Sequence, residues 1–343
     1  MRKHENIRTT LYAVGPGLAA TTLIGVTAYT LTVIWNAPVA DPLVIALVAG
    51  VIARTSLGSR KTLQSGFAAA PRICIPAGIA FYAVKNLNFT QFTAVRPMSI
   101  VLGALVVSVY FATILILGKF LRQKARISYL TATGSGICGA SAIAVASPAV
   151  DADSDDISVS LLAVTAAALV TLFTLLPFVA TTLGMTDRTY GLLSGSVLQM
   201  TGFVKAAVMN LPFLSRQLSD KELVSLALSV KAARYLGLLI AIPLFASLVQ
   251  KRFYIPWVLW LFVGAGILGT WISAAHHQFY VATLIPVVKP IYGISWSIAM
   301  AAIGLNADVR QLLSNNGAKA LVMAFAGCVA AIATFFIGSM ILG

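Results

Sequence analysis

The chain has 343 residues, 59% hydrophobic and only 10% charged, where soluble domains carry roughly 25% charged residues. That composition excludes a soluble globular domain, and the lack of short alternating segments excludes a transmembrane β-barrel. The net charge of +14 would suit a nucleic-acid binder, but the basic residues sit in short connections between apolar runs, so no nucleic-acid partner is expected.

In chain order, the apolar runs predict an all-α polytopic membrane protein with about 11 transmembrane helices, at residues 11–35, 42–57, 63–84, 97–118, 127–149, 157–183, 188–211, 222–249, 256–274, 279–305 and 317–342. The first run is too long for a signal-peptide core and reads as a span. Turn chemistry separates the runs, at Ala37-Pro38, Gly58 to Lys61, Asp151 to Asp156 and Asn315 to Gly317. With the N-terminus inside, the inner connections hold fourteen Lys and Arg, among them Arg188, and the outer ones four: Lys85, Arg96, Arg216 and Lys221. The N-terminus is therefore expected in the cytoplasm and the chain in a bacterial inner membrane.

Six further cations lie within predicted spans: Arg54, Arg72, Lys205, Lys231, Arg234 and Lys289. All ten carboxylates lie in connections or at span ends. Burying a charge at the bilayer centre costs at least about 2.5–3.5 kcal/mol. Cations that cannot snorkel to an interface therefore call for an anion or for freed backbone carbonyls. Snorkelling suits Arg54 and Lys205.

The fifth run contains Gly134, Ser135, Gly136, Cys138, Gly139 and Ser141 where a continuous helix would favour Leu and Ala. Such a stretch reads as the unwound middle of a broken helix, or as a set of small residues for close packing. The tenth run carries Pro286, Lys289, Pro290, Tyr292, Gly293 and Ser295, and its two prolines and glycine predict a second break. Setting the first span aside, ten remain, and the two breaks fall on the fourth member of each five. The expected organisation is an extra N-terminal helix (1–36) and two inverted five-helix repeats (42–183 and 188–342) whose broken helices cross. Half-helix N-termini meeting there would form an anion site. Candidate substrate contacts are these two stretches together with Gln199, Thr201, Lys231 and Arg234. The Lys231/Arg234 pair can clamp a substrate or pack against carbonyls of the broken helices. No metal-ligand spacing, nucleotide loop or nucleophile–base grouping is present, so neither a cofactor nor an enzymatic activity is expected.

The stretch Gly136-Ile137-Cys138-Gly139-Ala140-Ser141-Ala142-Ile143-Ala144 followed by Ser147-Pro148, then Lys231-x-x-Arg234, then Ala299 to Leu305, resembles the YeiH-type sulfate exporter family over nearly the whole chain. The resemblance implies the fold of the cation/proton antiporter and bile-acid symporter superfamily. One stretch departs from that pattern. Where the family's Gly-x-x-His-(Asp/Glu)-x-x-Gln-Val is expected, Leu198 stands for the histidine, Gln199 for the acid and Gly202 for the glutamine. The titratable pair suited to proton coupling is thus missing. The expected function is secondary export of a small anion such as sulfate, sulfite or a sulfonate. The alternatives are a cation- or proton-coupled antiporter of the same fold and a non-transporting anion sensor. The expected partners are a small anionic substrate, the lipid bilayer and, in a homodimer, a second copy of the chain.

Overall fold

A computed structural model describes residues 2–37, 40–58, 61–87, 89, 97–209, 218–307 and 314–342. The described chain is helical throughout, and eight of its helices are long and apolar enough to cross a membrane. In order these are α1 (Arg2–Trp35), α3 (Gln64–Asn86), α4 (Pro97–Phe120), α7 (Ser154–Thr182), α10 (Asp220–Gln250), α11 (Trp257–Ala275), α12 (His277–Asn306) and α13 (Asn315–Leu342). A shorter apolar helix, α2 (Pro42–Leu57), starts at Asp41, whose carboxylate accepts from the N–H groups of Leu43 and Val44.

The remaining two apolar segments do not cross. The first consists of α5 (Ala125–Thr133), a π-helical turn (Gly134–Cys138) and α6 (Ala140–Ala146). With the π-helical turn, the ingoing arm rises about 20 Å, short of the ~30 Å hydrocarbon core. The returning chain meets its own entry point. Lys124 pairs with Asp153 at 2.8 Å and with Asp156 at 2.6 Å, and Arg126 pairs with Asp151 at 2.9 Å. Ser160 of α7 donates to the carbonyl of Ile127. A spanning segment would hold these groups a membrane's thickness apart, so residues 125–150 form a re-entrant helical hairpin. The second hairpin is α8 (Asp187–Val197), an irregular tip at Leu198 to Met200, and α9 (Thr201–Met209). Its base closes in the same way, because the Asp187 carboxylate accepts from the Leu218 N–H at 2.7 Å. α8 then runs beside α10 with Gly191 against Leu223 and Gly195 against the Ala227 backbone.

α7 carries the chain from the base of one hairpin to the base of the other, so the hairpins enter from opposite faces and meet tip to tip. This corrects the expected crossing of two broken helices. It also corrects the location of the second break. α12 is a continuous α-helix from Ile285 to Asn306 through Pro290. The π-helical turn Tyr280–Leu284 just before Pro286 rearranges the backbone bonding there, which is one way a membrane helix absorbs proline. The breaks therefore fall on the fourth and first members of the expected fives, and the break expected in the tenth run is not found.

The helices sort into two bundles. α1, α2, α3, α11 and α12 pack on one another, with glycines such as Gly50 and Gly304 set directly against a neighbour's backbone. α4, α7, α10 and α13 enclose the two hairpins. The bundles meet along a boundary that brings together residues from both halves of the chain.

The hairpins change the sidedness of two connections. Arg188 moves to the face opposite the N-terminus, and Asp151 to Asp156 move to the N-terminal face. By chain order the N-terminal face then holds thirteen of the connecting Lys and Arg and the opposite face five, so the bias survives. Arg60, Arg96, Arg216 and Arg310 in this reckoning lie outside the described residues. Single cysteines placed at Arg122, Asp151 and Arg188 in a cysteine-free background test the topology. An impermeant maleimide should label the first two from one face and the third from the other. Labelling of Arg122→Cys and Asp151→Cys from opposite faces would restore a spanning segment.

Candidate functional site

Each hairpin tip frees backbone carbonyls at mid-membrane depth, where no water is available to satisfy them. The tip of the first hairpin is shaped by its glycines. Gly139 has φ +69°, a left-handed conformation that a side chain rarely adopts, and a Cβ there would lie 2.7 Å from Met200 Cγ in the opposing tip. A Cβ on Gly134 would meet Ile143 of the returning arm, and one on Gly136 would meet Phe111 of α4. The close-packing reading holds for Gly134 and Gly136, while the unwound middle narrows to a turn at Gly139, since Gly134–Cys138 is π-helical.

The freed carbonyls are bound by the two cations on α10, where the helix tightens into a 3-10 turn at Arg234–Leu236. Lys231 Nζ donates to the carbonyls of Ile137 (3.5 Å), Leu198 (3.3 Å) and Gln199. Arg234 donates through Nε to Gly136 (2.8 Å), through Nη1 to Ser196 (2.8 Å) and Leu198 (3.0 Å), and through Nη2 to Ser135 (2.8 Å). Both side chains are 1% exposed. The guanidinium also lies over the Tyr110 ring, 5.5 Å from its centroid. One helix thereby fastens both tips; the expected packing against carbonyls of a broken run is found for the first stretch, while the other carbonyls come from Ser196 to Gln199 and not from the tenth run. Gln199 is fully buried, with its amide nitrogen 3.4 Å from Tyr110 Oη and 3.3 Å from Cys328 Sγ. Ser135, Gly134, Gly136, Gly139, Gln199 and Arg234 belong to this junction and are not among the residues that line the cavity beside it.

Directly beside the junction, between the two bundles, is a cavity of about 460 Å³. The hairpin bundle contributes Cys138, Ser141, Met200, Thr201, Gly202, Lys205, Lys231 and Tyr235. The other bundle contributes Tyr29, Asp41, Tyr82, Lys85, Lys289, Tyr292, Gly293 and Trp296. Asp41 and Lys85 lie at the helix ends of the face opposite the N-terminus, so the cavity runs from that face down to the tips. Of the residues expected to bind substrate, Cys138, Ser141, Thr201, Lys231, Lys289, Tyr292 and Gly293 meet here. Ser295, half-buried on α12, is not among the lining residues.

Charge is unevenly distributed in this cavity. Four lysines, Lys85, Lys205, Lys231 and Lys289, line it with a single carboxylate, Asp41. That carboxylate is engaged in capping α2. Loss of water raises its pKa above the ordinary carboxylate value, against the pull of the Leu43 and Val44 N–H groups. The first residues of α9, Thr201 and Gly202, also face the cavity, and the leading N–H groups of a helix lack intrahelical partners. Lys205, which snorkelling explained at the sequence level, and Lys85, assigned there to an outer connection, are thus site residues. So are the aromatic residues Tyr29, Tyr82, Tyr235 and Trp296. Lys289 is exposed on an intact helix and is not held inside a break. Among the described residues, no grouping of His, Cys, Asp and Glu could hold a metal ion.

A family model described as "Conserved hypothetical protein 698" matches residues 16–324. Curated relatives include a "UPF0324 membrane protein" of Archaeoglobus fulgidus, 27% identical over 86% of this chain and 84% of its own length. One of Bacillus cereus is 26% identical over 91% and 87% of the two chains, and one of Brucella melitensis 30% identical over 59% and 55%. No solved structure matches the chain.

Proposed function

We propose, for a chain that belongs to the conserved hypothetical protein 698 family and is a multi-pass membrane protein, a role as a secondary transporter of a small anion working by alternating access. The observation that carries this reading is the cavity between the two bundles, lined by four lysines against one engaged carboxylate and reaching the tips of two opposed re-entrant hairpins. In a low-dielectric setting such an excess of fixed positive charge favours an anion. The paired hairpins support transport because irregular backbone at membrane depth is a mark of transporter binding sites. The positive-inside bias supports a cytoplasmic N-terminus in a bacterial inner membrane, with the cavity facing outward. Sulfate, sulfite and sulfonates are the candidate substrates, in line with the sulfate exporter resemblance, and small carboxylates fit the same charge.

The test is flux in proteoliposomes. Purified protein should exchange radiolabelled sulfate, sulfite or a sulfonate in response to an anion gradient. Lys289→Ala, which removes an exposed cavity charge without touching the tip junction, should lower the rate at subsaturating substrate by roughly tenfold, the equivalent of about 1.4 kcal/mol. Movement of cations without any anion, or an unchanged rate in Lys289→Ala, would sink the proposal.

A further inference from the structure

A second cavity, of about 280 Å³, adjoins the first and shares Lys85, Asn86 and Tyr235 with it. Its remaining lining is apolar or aromatic: Ala232, Tyr280, Val281 and Ile285. Lys85 stands at the neck between them, its Nζ 3.4 Å from the Tyr292 hydroxyl and 5.9 Å from the Tyr292 ring centroid. Around the first cavity, several polar handles are already spent. Tyr82 Oη is bonded to Cys138 Sγ, Trp296 Nε1 to the Ile75 carbonyl, and Tyr235 Oη to Thr201 Oγ1. These rings offer carbon surface to an occupant more than they offer donors. A bare oxyanion that sheds its water needs many converging donors. A chamber of this size, with positive charge at spaced points and carbon between them, suits a larger, two-part ligand.

We infer that the substrate is an organic anion with an apolar body, such as an alkyl or aryl sulfonate or carboxylate. Its charged head sits among Lys85, Lys205 and Lys289, and its body passes the neck at Lys85 and Tyr235 into the second cavity. This inference rests on the anion-transport reading of the same site and narrows it away from inorganic sulfate.

The experiment measures Kd on the purified protein, by calorimetry at fixed pH and ionic strength, for sulfate, methanesulfonate, butanesulfonate and hexanesulfonate. Hexyltrimethylammonium serves as the control for nonspecific chain binding. Affinity should rise with chain length by up to about fourfold per buried methylene, giving at least a tenfold gain from the one-carbon to the six-carbon sulfonate. The cationic control should not bind. Ile285→Trp, which fills the second cavity, should abolish the gain, while Ile285→Ala should extend it to longer chains. General damage to the protein would move both variants the same way. Sulfate binding as tightly as every sulfonate, or a chain-length gain untouched by Ile285→Trp, would overturn the inference and leave the anion reading standing. Failure of every anion to bind would overturn both.

Discussion

Replacing Arg234 with alanine is expected to be the most damaging single change in this protein. The guanidinium holds the carbonyls of Ser135 and Gly136 in one tip and of Ser196 and Leu198 in the other. A buried polar group left unpaired costs about 1–3 kcal/mol, and alanine takes this donor from the carbonyls of Ser135, Gly136 and Ser196, while that of Leu198 keeps Lys231. Even with partial relaxation the loss should reach roughly 4 kcal/mol, the range seen when one partner of a buried charged network is removed. The midpoint of thermal unfolding in detergent should fall by roughly 6 °C. Arg234→Lys should recover only part of this, because an ammonium cannot reproduce a planar fork spanning two tips. If Arg234→Ala unfolds at the wild-type temperature, the guanidinium does not join the hairpins.

Lys231→Ala should produce a different phenotype. The vacated site retains the carbonyls of Ile137, Leu198 and Gln199, which the ammonium group had bound. Unwound carbonyls of this kind coordinate sodium in other transporters. The lysine thus acts as a built-in cation, and the wild-type protein should be equally stable in sodium chloride and choline chloride of the same ionic strength. The alanine variant should be less stable and should regain several degrees in sodium or methylammonium. A ligand at a hundred times its dissociation constant returns about 2.7 kcal/mol. A wild-type protein stabilised by sodium, or a variant rescued by neither cation, would refute this.

The fold class and much of the site were legible in the sequence because composition and charge act over long stretches. Apolar runs and punctuation marked the helical segments. The glycines at 134, 136 and 139 marked the first tip, since a positive φ and close approach both demand that residue. Lys231 and Arg234 stood out as deep cations without carboxylates. The second tip was missed because Leu198 to Met200 contain no glycine or proline, and residues 188–211 read as one apolar run. The clue that could have found it was the density of small and polar residues, with Ser194, Gly195, Ser196, Gln199, Thr201 and Gly202 within nine positions. The prolines of α12 misled in the opposite sense: a π-helical turn precedes Pro286, and the helix continues through Pro290. Re-entry itself was invisible, since hydropathy registers depth and not direction. The contacts at the hairpin bases, such as Lys124 with Asp153 and Asp187 with Leu218, show that the chain turns back.

The fastening of both tips by one turn of α10 has a kinematic consequence. A pair of hairpins that could part would give the molecule two independent doors. Here both doors hang from one bolt, since parting the tips would break the bonds of Lys231 and Arg234 together. The hairpins, α7 and α10 therefore count as a single rigid part with one seam against α1, α2, α3, α11 and α12. The proposed alternating access would then run along that seam, by sliding or tilting one whole bundle against the other.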